Sequence, residues 1–189
     1  MKTLIIASNN KGKIREIKEL LGDKFDVKAM GEIGISADPE ETGSTFAENA
    51  LIKAKAVYEL CRLPVIADDS GLAVNALGGA PGVYSARYAG KGHDDSANNA
   101  KLLENLEGIT DRTAKFVSSV VYYDGERTET ADGTVDGYIA LAPSGKGGFG
   151  YDPLFYSTEL GKTFGDATDE EKNTVSHRFR AFSALAKKI

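Results

Sequence analysis

Lys2-Thr3-Leu4-Ile5-Ile6-Ala7 is a short, nearly unbroken apolar run, the pattern of a strand covered on both faces, and the polar Ser8-Asn9-Asn10 follows at once. Ile14, Ile17, Leu20 and Leu21 then recur at helical spacing until Gly22 stops them, which predicts a strand, a polar loop and a helix whose N-terminus faces that loop. A second short strand is predicted around Phe25 to Ala29, and after it an exposed loop reaching Glu40-Glu41-Thr42-Gly43. Thr45-Phe46-Ala47-Glu48 has the spacing of a capping box. Phe46, Ala50, Ala54, Val57 and Cys61 make the apolar stripe of a long helix closed before Pro64, with Lys53 off that stripe. Leu63-Pro64-Val65-Ile66 reads as a buried strand with Ala67-Asp68-Asp69-Ser70-Gly71-Leu72 at its end.

Gly78 to Gly82 form a turn-rich loop, and a third helix is predicted from about Asp94 to Leu106, with Asp94 and Asp95 favourable in its first turn and Gly108 past its end. From Ala114 to Ala142 the period becomes strand-like. Phe116 to Tyr123, Asp124-Gly125 and a strand ending near Ala140-Leu141 predict a hairpin, a candidate for a distinct lobe. Gly145 to Pro153 is a Gly-rich loop, Thr168-Asp169-Glu170-Glu171 offers another capping box, and a last helix is predicted from Ser176 to Ile189 with Phe179, Phe182, Ala186 and Ile189 inward.

Composition narrows what such a chain does. Its 189 residues, 41% hydrophobic, suit one good-sized domain or two intimate lobes. A net charge of -5 with no basic stripe argues against nucleic acid as the main partner. The lone Cys61, on the apolar face of a predicted helix, excludes an internal disulfide and a cysteine metal cluster. No apolar run approaches the length of a membrane span and no signal-like segment opens the sequence, so a cytoplasmic protein with no membrane partner is expected.

Four places carry candidate chemistry. Asp68 and Asp69 are adjacent carboxylates that repel one another unless a cation lies between or beside them, and Mg2+ is the commonest candidate; the plainer alternative is a polar turn. Ser8, Asn9, Asn10, Lys11, Gly12 and Lys13 bring hydroxyl, amide and ammonium groups to a helix N-terminus. Lysines there oppose the helix dipole, which suits a triphosphate tail, unless Asn is simply an N-cap and the lysines are solvated. The same conflict recurs at Ser176-His177-Arg178, where the alternative is a neutral His177 and an Arg178 paired with Glu170 or Glu171. On the dipole alone, removing Arg178 would change stability by no more than about 1 kcal/mol. Finally, glycines flank Phe149 and Tyr151, so a ring can be presented to a planar ligand, or Phe149 can be tucked into the core.

In this order, over almost the whole chain, these segments resemble the inosine/xanthosine triphosphate pyrophosphatases, which hydrolyse deaminated purine nucleoside triphosphates. The resemblance is carried by Ser8 to Lys13, Glu40 to Ala50, Ala67 to Leu72, Gly78 to Tyr88, Gly147 to Pro153, and Lys172 with Ser176-His177-Arg178. Ser8 stands where the family commonly has Thr.

The resemblance implies a mixed α/β fold, a long central sheet flanked by helices in two lobes with an active-site cleft between them, all within one domain spanning 1–189, and a homodimer. It implies Mg2+ held by Asp69 and a glutamate of the Glu40-Glu41 pair, Glu41 favoured, with Asp69 as the base. Lys13 and Lys53 would offset phosphate charge. Phe149 would stack on the purine, and Asp152, Lys172, His177 and Arg178 would contact base and sugar; Ser70, Gly150 and Tyr151 complete the substrate-binding set. Competing readings are a pyrophosphatase for other modified nucleotides, such as pyrimidines, and a non-catalytic nucleotide-binding module.

Overall fold

The structure is a computed structural model that describes all 189 residues. Strand β1 is Thr3–Ile6, and helix α1, Lys11–Leu21, starts where Asn10 Oδ1 accepts the Lys13 N–H at 3.1 Å. Strand β2 is Asp26–Ala29. Helix α2, Phe46–Cys61, begins at the predicted capping box of Thr45 and Glu48 and ends at Arg62, which is left-handed at φ 53. Strand β3 is Val65–Val74, helix α3 Asp95–Asn105, strands β4 and β5 Thr113–Tyr123 and Thr128–Ile139. Asp94 caps α3 by accepting the Ala97 N–H. Two short strands, β6 (Phe155–Ser157) and β7 (Lys162–Thr163), precede α4 (Asp169–Val175) and α5 (His177–Leu185). The strands are hydrogen-bonded in the order β2-β1-β3-β4-β5-β6-β7. The sheet is mixed: β1 pairs in parallel with β2 and β3, whereas β6 is antiparallel to β5 and β7.

The chain divides into two compact units. The first comprises Met1–Asp69, Ser118–Gly133 and Arg178–Ile189. Its sheet is covered on both faces, and strand alternation sorts the side chains. Leu4, Ile6, Ile66, Val120 and Tyr122 pack with Ile17 and Leu21 of α1 and Phe182 and Leu185 of α5. Ile5, Ala7, Val65, Ala67 and Val121 pack with Ala50, Ala54 and Val57 of α2. Burial of Leu4, Ile5 and Ile6, each fully enclosed, contributes roughly 1.5–3 kcal/mol per side chain. The second unit comprises Ser70–Val117 and Thr134–His177. Its core gathers Leu72, Val74, Leu102, Leu106, Val135 and Ile139 around Phe116, Phe155 and Phe164.

Three expectations change. The acid pair lies in the middle of the ten-residue β3, neither at a strand end nor in a turn. Two acidic residues break the apolar run without breaking the strand, because Lys13, Arg178 and Lys53 supply cations to them there. The hairpin forms with its predicted Asp124-Gly125 turn, Asp124 Oδ1 accepting the Arg127 N–H at 2.8 Å, but it is no separate lobe: Ser118–Gly133 belongs to the first unit and the rest of both strands to the second. In α5 the buried stripe is Arg178, Ala181, Phe182 and Leu185, shifted from the predicted one because a charged residue occupies an inward position.

Candidate active site

Strand alternation divides the two acids. Asp68 has the parity of Ile66 and faces α1 and α5, while Asp69 has the parity of Ala67 and faces α2. Asp68 accepts from Arg178 Nε at 3.2 Å and lies 3.2 Å from Lys13 Nζ. Arg178, only 2% exposed, also donates through Nη1 to Glu16, itself buried on α1. The cations that oppose the dipole at the start of α5 and α1 are thus answered by carboxylates of the protein; Glu171, offered as a partner for Arg178, pairs with Lys162. Glu16 was missed by the sequence reading. Its place on the face of α1 that carries Lys13 and Ile17 is the signal that marks it as inward.

On the other face, Lys53 reaches from α2 to Asp69 Oδ1 at 3.0 Å and to Glu41 at 3.2 Å, so one ammonium joins two carboxylates. Glu41 is placed by its loop. The Gly43 N–H donates to the fully buried Asn49 at 2.8 Å, and Ser44 N–H and hydroxyl both donate to Glu48. A side chain at Gly43 would meet Asn49 Oδ1 at 2.6 Å, so only glycine permits this approach. Glu40, by contrast, is exposed.

Burial raises the Asp69 pKa, and the Glu41 carboxylate adds to it, against the opposing charges of Lys53 and Lys13. For Asp68 burial acts in the same direction, but Lys13, Arg178 and Lys53 outweigh it and hold the carboxyl well below the usual range. Burial lowers the Lys13 pKa. Lys53 is also desolvated, but the carboxylates of Asp69, Asp68 and Glu41 raise it overall. Neighbouring residues of one strand therefore differ in kind: Asp68 is a locked anion and Asp69 an acid disposed to take up a proton. Asp69 Oδ2 is buried with no hydrogen-bond partner. An oxygen in that state, beside Glu41, fits a divalent cation, although no third His, Cys, Asp or Glu joins them. Two carboxylates suffice for Mg2+ when substrate phosphates and water supply its other ligands.

The rest of the first loop is surface. Ser8 Oγ accepts the Asn10 N–H at 3.1 Å, Asn10 is the N-cap of α1, Gly12 is half-buried, and Asn9 and Lys11 are exposed. Lys13 alone of the lysine pair turns inward.

The remaining candidates lie in the second unit. Lys172 of α4 and Asp152 form a buried ion pair at 2.7 Å, and Asp152 Oδ2 also accepts the Phe149 N–H at 3.0 Å. Lys172 Nζ lies 4.8 Å from the Phe149 ring centroid, within cation–π range. Phe149 is half-buried. A side chain at Gly148, whose φ is +69, would strike Asp152 Oδ2 at 2.0 Å. His177 is buried and stacks on Phe116 at 4.7 Å with planes 17° apart, and Ser70 is half-buried. Tyr151, placed by the resemblance in the substrate-binding set, is not a presented ring: it is 5% exposed, packs in the core, and donates its hydroxyl to the Ser85 carbonyl at 2.7 Å. Burial drives its pKa far up, so the phenol stays neutral.

Residues 4–188 match the model of the Ham1 family. Among curated proteins the chain is 51% identical to the dITP/XTP pyrophosphatase of Bacillus subtilis (strain 168) over 191 residues, covering 99% of this chain and 96% of that one. It is 48% identical to the dITP/XTP pyrophosphatase of Treponema denticola over 190 residues, 98% of this chain and 97% of that one. Among solved structures it resembles the Staphylococcus aureus Ham1 protein with a TM-score of 0.87 at 46% identity, over 98% and 97% of the two chains. A HAM1 protein from Coxiella burnetii matches with a TM-score of 0.88 at 41% identity, over 99% and 98%.

Proposed function

The chain belongs to the Ham1 family, and from that premise we propose that it hydrolyses deaminated purine nucleoside triphosphates (ITP, dITP and XTP) to the monophosphate and pyrophosphate, removing them from the nucleotide pool. The observation that carries the chemistry is Asp69: desolvated, raised in pKa, and joined to Glu41 through Lys53. Relatives at about half identity over nearly their full length support the substrate class.

Asp69 Oδ2 is the proposed acceptor of a proton from the attacking water. As the water oxygen bonds to the α-phosphorus, the bond from phosphorus to the bridging oxygen breaks, and its electron pair leaves on pyrophosphate. The ammonium groups of Lys13 and Lys53 offset the charge that grows on the phosphate oxygens. Asp69 and Glu41 are the proposed holders of Mg2+, which when bound would neutralise the triphosphate. In the second unit, Phe149 is the stacking ring, while Asp152, Lys172 and His177 supply base and sugar contacts. Hypoxanthine and xanthine present a keto acceptor at the 6-position where adenine presents an amino donor. Donor-only side chains such as Lys172 and Arg178 therefore favour the former and leave adenine mispaired, which can discriminate by roughly 10⁴.

The rest of the proposal is that residues 1–189 act as one catalytic domain, in the cytoplasm, as a homodimer. No helix is long and apolar enough to cross a membrane. The deciding experiment is product analysis with Mg2+ on ITP, dITP, XTP and ATP. Monophosphate and pyrophosphate from the first three, with kcat/KM at least about 100-fold above ATP, are expected. Stepwise release of orthophosphate, or equal turnover of ATP, would refute it.

A further inference from the structure

Phe149 stands between two glycines of positive φ, +69 at Gly148 and +63 at Gly150, so its backbone has little local restraint of its own. The restraint comes from outside the loop. The Phe149 N–H donates to Asp152 Oδ2 at 3.0 Å, and the next N–H along, that of Gly150, donates to Asp95 Oδ2 at 2.8 Å. Both peptide planes that meet at the Phe149 Cα are thereby tied to carboxylates, which fixes φ and ψ and leaves the ring only its side-chain rotations. The Gly150 carbonyl accepts from Asn99 Nδ2 at 3.0 Å. Asp95 and Asn99 are four residues apart on α3 and share one face, so a single helix turn offers an acceptor and a donor to the two sides of Gly150. Neither residue belongs to the segments that carry the family resemblance.

We propose that Asp95 and Asn99 are positioning residues for purine binding: α3 clamps Gly150 so that the Phe149 ring waits in its stacking orientation. This rests on the reading that Phe149 meets the base. Ordering a loop at the moment of binding weakens affinity, whereas a loop already ordered avoids that cost. The clamp therefore acts on substrate affinity. Loss of either contact should raise KM for dITP about 10-fold and leave kcat within about threefold. A ligand with phosphates but no base gains nothing from an ordered ring, so the inhibition constant of inorganic tripolyphosphate should not move.

The test uses Asp95→Ala, Asn99→Ala and the conservative Asp95→Asn, whose amide oxygen still accepts the Gly150 N–H. KM and kcat for dITP and the tripolyphosphate inhibition constant are measured for each. Because the chain has no tryptophan, Phe149→Trp introduces a single indole whose fluorescence anisotropy reports loop order without any turnover. Asp95→Ala and Asn99→Ala should lower that anisotropy, and Asp95→Asn should hold it. Unchanged anisotropy in both alanine variants overturns the clamp. So does a parallel weakening of dITP and tripolyphosphate, or equal damage from Asp95→Asn and Asp95→Ala. If the unsubstituted enzyme turns over no dITP, the functional reading fails by itself, and anisotropy alone decides the clamp.

Discussion

Arg178→Ala sets two physical effects against each other. Arg178 lies in the first turn of α5, where a cation opposes the helix dipole, and its removal there would gain some 0.3–1 kcal/mol. It is also 2% exposed and donates to two carboxylates, Asp68 and Glu16, that are themselves buried. Removing one partner of a buried pair leaves an uncompensated charge at about 3–5 kcal/mol. Lys13 still neutralises Asp68 from 3.2 Å, which keeps the loss within that range, while Glu16 loses the guanidinium that it shares with Asp68. The pair outweighs the dipole, so the variant is destabilised by about 3–5 kcal/mol, contrary to the near-neutral effect that the dipole alone predicts. For a chain of this size that is a fall in Tm of about 6–20 °C at pH 7, measured by thermal unfolding.

The pH dependence follows from the same geometry. The Asp68 pKa is depressed in the folded wild-type protein, so its contribution is present above the unfolded value and is lost as pH falls through the folded one. Without Arg178, Asp68 takes up a proton more readily when folded, which relieves the penalty at low pH. The Tm gap between wild type and variant should therefore narrow as pH falls below about 4, from the unfolded carboxylate value towards the depressed folded one. Arg178→Lys, which keeps charge without the planar fork, should recover part of the loss. A Tm within about 2 °C of wild type at pH 7 for Arg178→Ala would refute the buried-pair account.

Asp69→Asn should lower kcat by roughly 10³-fold or more under steady-state assay while thermal unfolding stays cooperative, since the substitution keeps the shape and removes the base. Glu41→Gln should raise the Mg2+ concentration for half-maximal rate, and Glu40→Gln, on an exposed side chain, should leave a Mg2+ titration within about twofold of wild type. Gly148→Ala forces a Cβ to 2.0 Å from Asp152 Oδ2 at a φ of +69, so urea unfolding should register a loss of at least about 1–3 kcal/mol. Lys172→Met leaves Asp152 buried without its ammonium and should cost about 3–5 kcal/mol by the same measurement, whereas adding Asp152→Leu should restore part of it.

Much of this fold is written in local pattern. The strand, loop and helix at the N-terminus, the boxes at Thr45 and Thr168, and the Asp124-Gly125 turn all form where period and capping chemistry put them. What was illegible depends on partners far away in the chain. Glu16 and Arg178 are 162 positions apart, and hydropathy marks each as a surface residue; only together do they belong in a core. With Arg178 inward, the buried stripe of α5 is Arg178, Ala181, Phe182 and Leu185 in place of Phe179, Phe182, Ala186 and Ile189. The strands β6 and β7, of three and two residues, are too short to leave a period. The burial of Tyr151 is illegible for a related reason, since its glycine-rich surroundings carry no core signal while its hydroxyl reaches the Ser85 carbonyl, 66 positions away.

The placement of two acids side by side makes physical sense only because a strand has a period of two. Had Asp68 and Asp69 shared a turn, their mutual repulsion would have raised at least one pKa and each would have competed for the same cations. In β3 they point to opposite faces, and each face brings its own cation: Arg178 from α5 with Lys13 from α1 on one, Lys53 from α2 on the other. The cations are apportioned unequally. Asp68 faces two, and its proton is driven off across the whole working range; Asp69 shares one with Glu41 and retains affinity for a proton. Asp68 thus serves as the fixed anion on which α1 and α5 are fastened. Asp69, one residue on and held by the same strand backbone, keeps an oxygen that no protein donor satisfies. The doubly ion-paired neighbour is what lets the reactive carboxylate remain incompletely neutralised without the strand giving way around it.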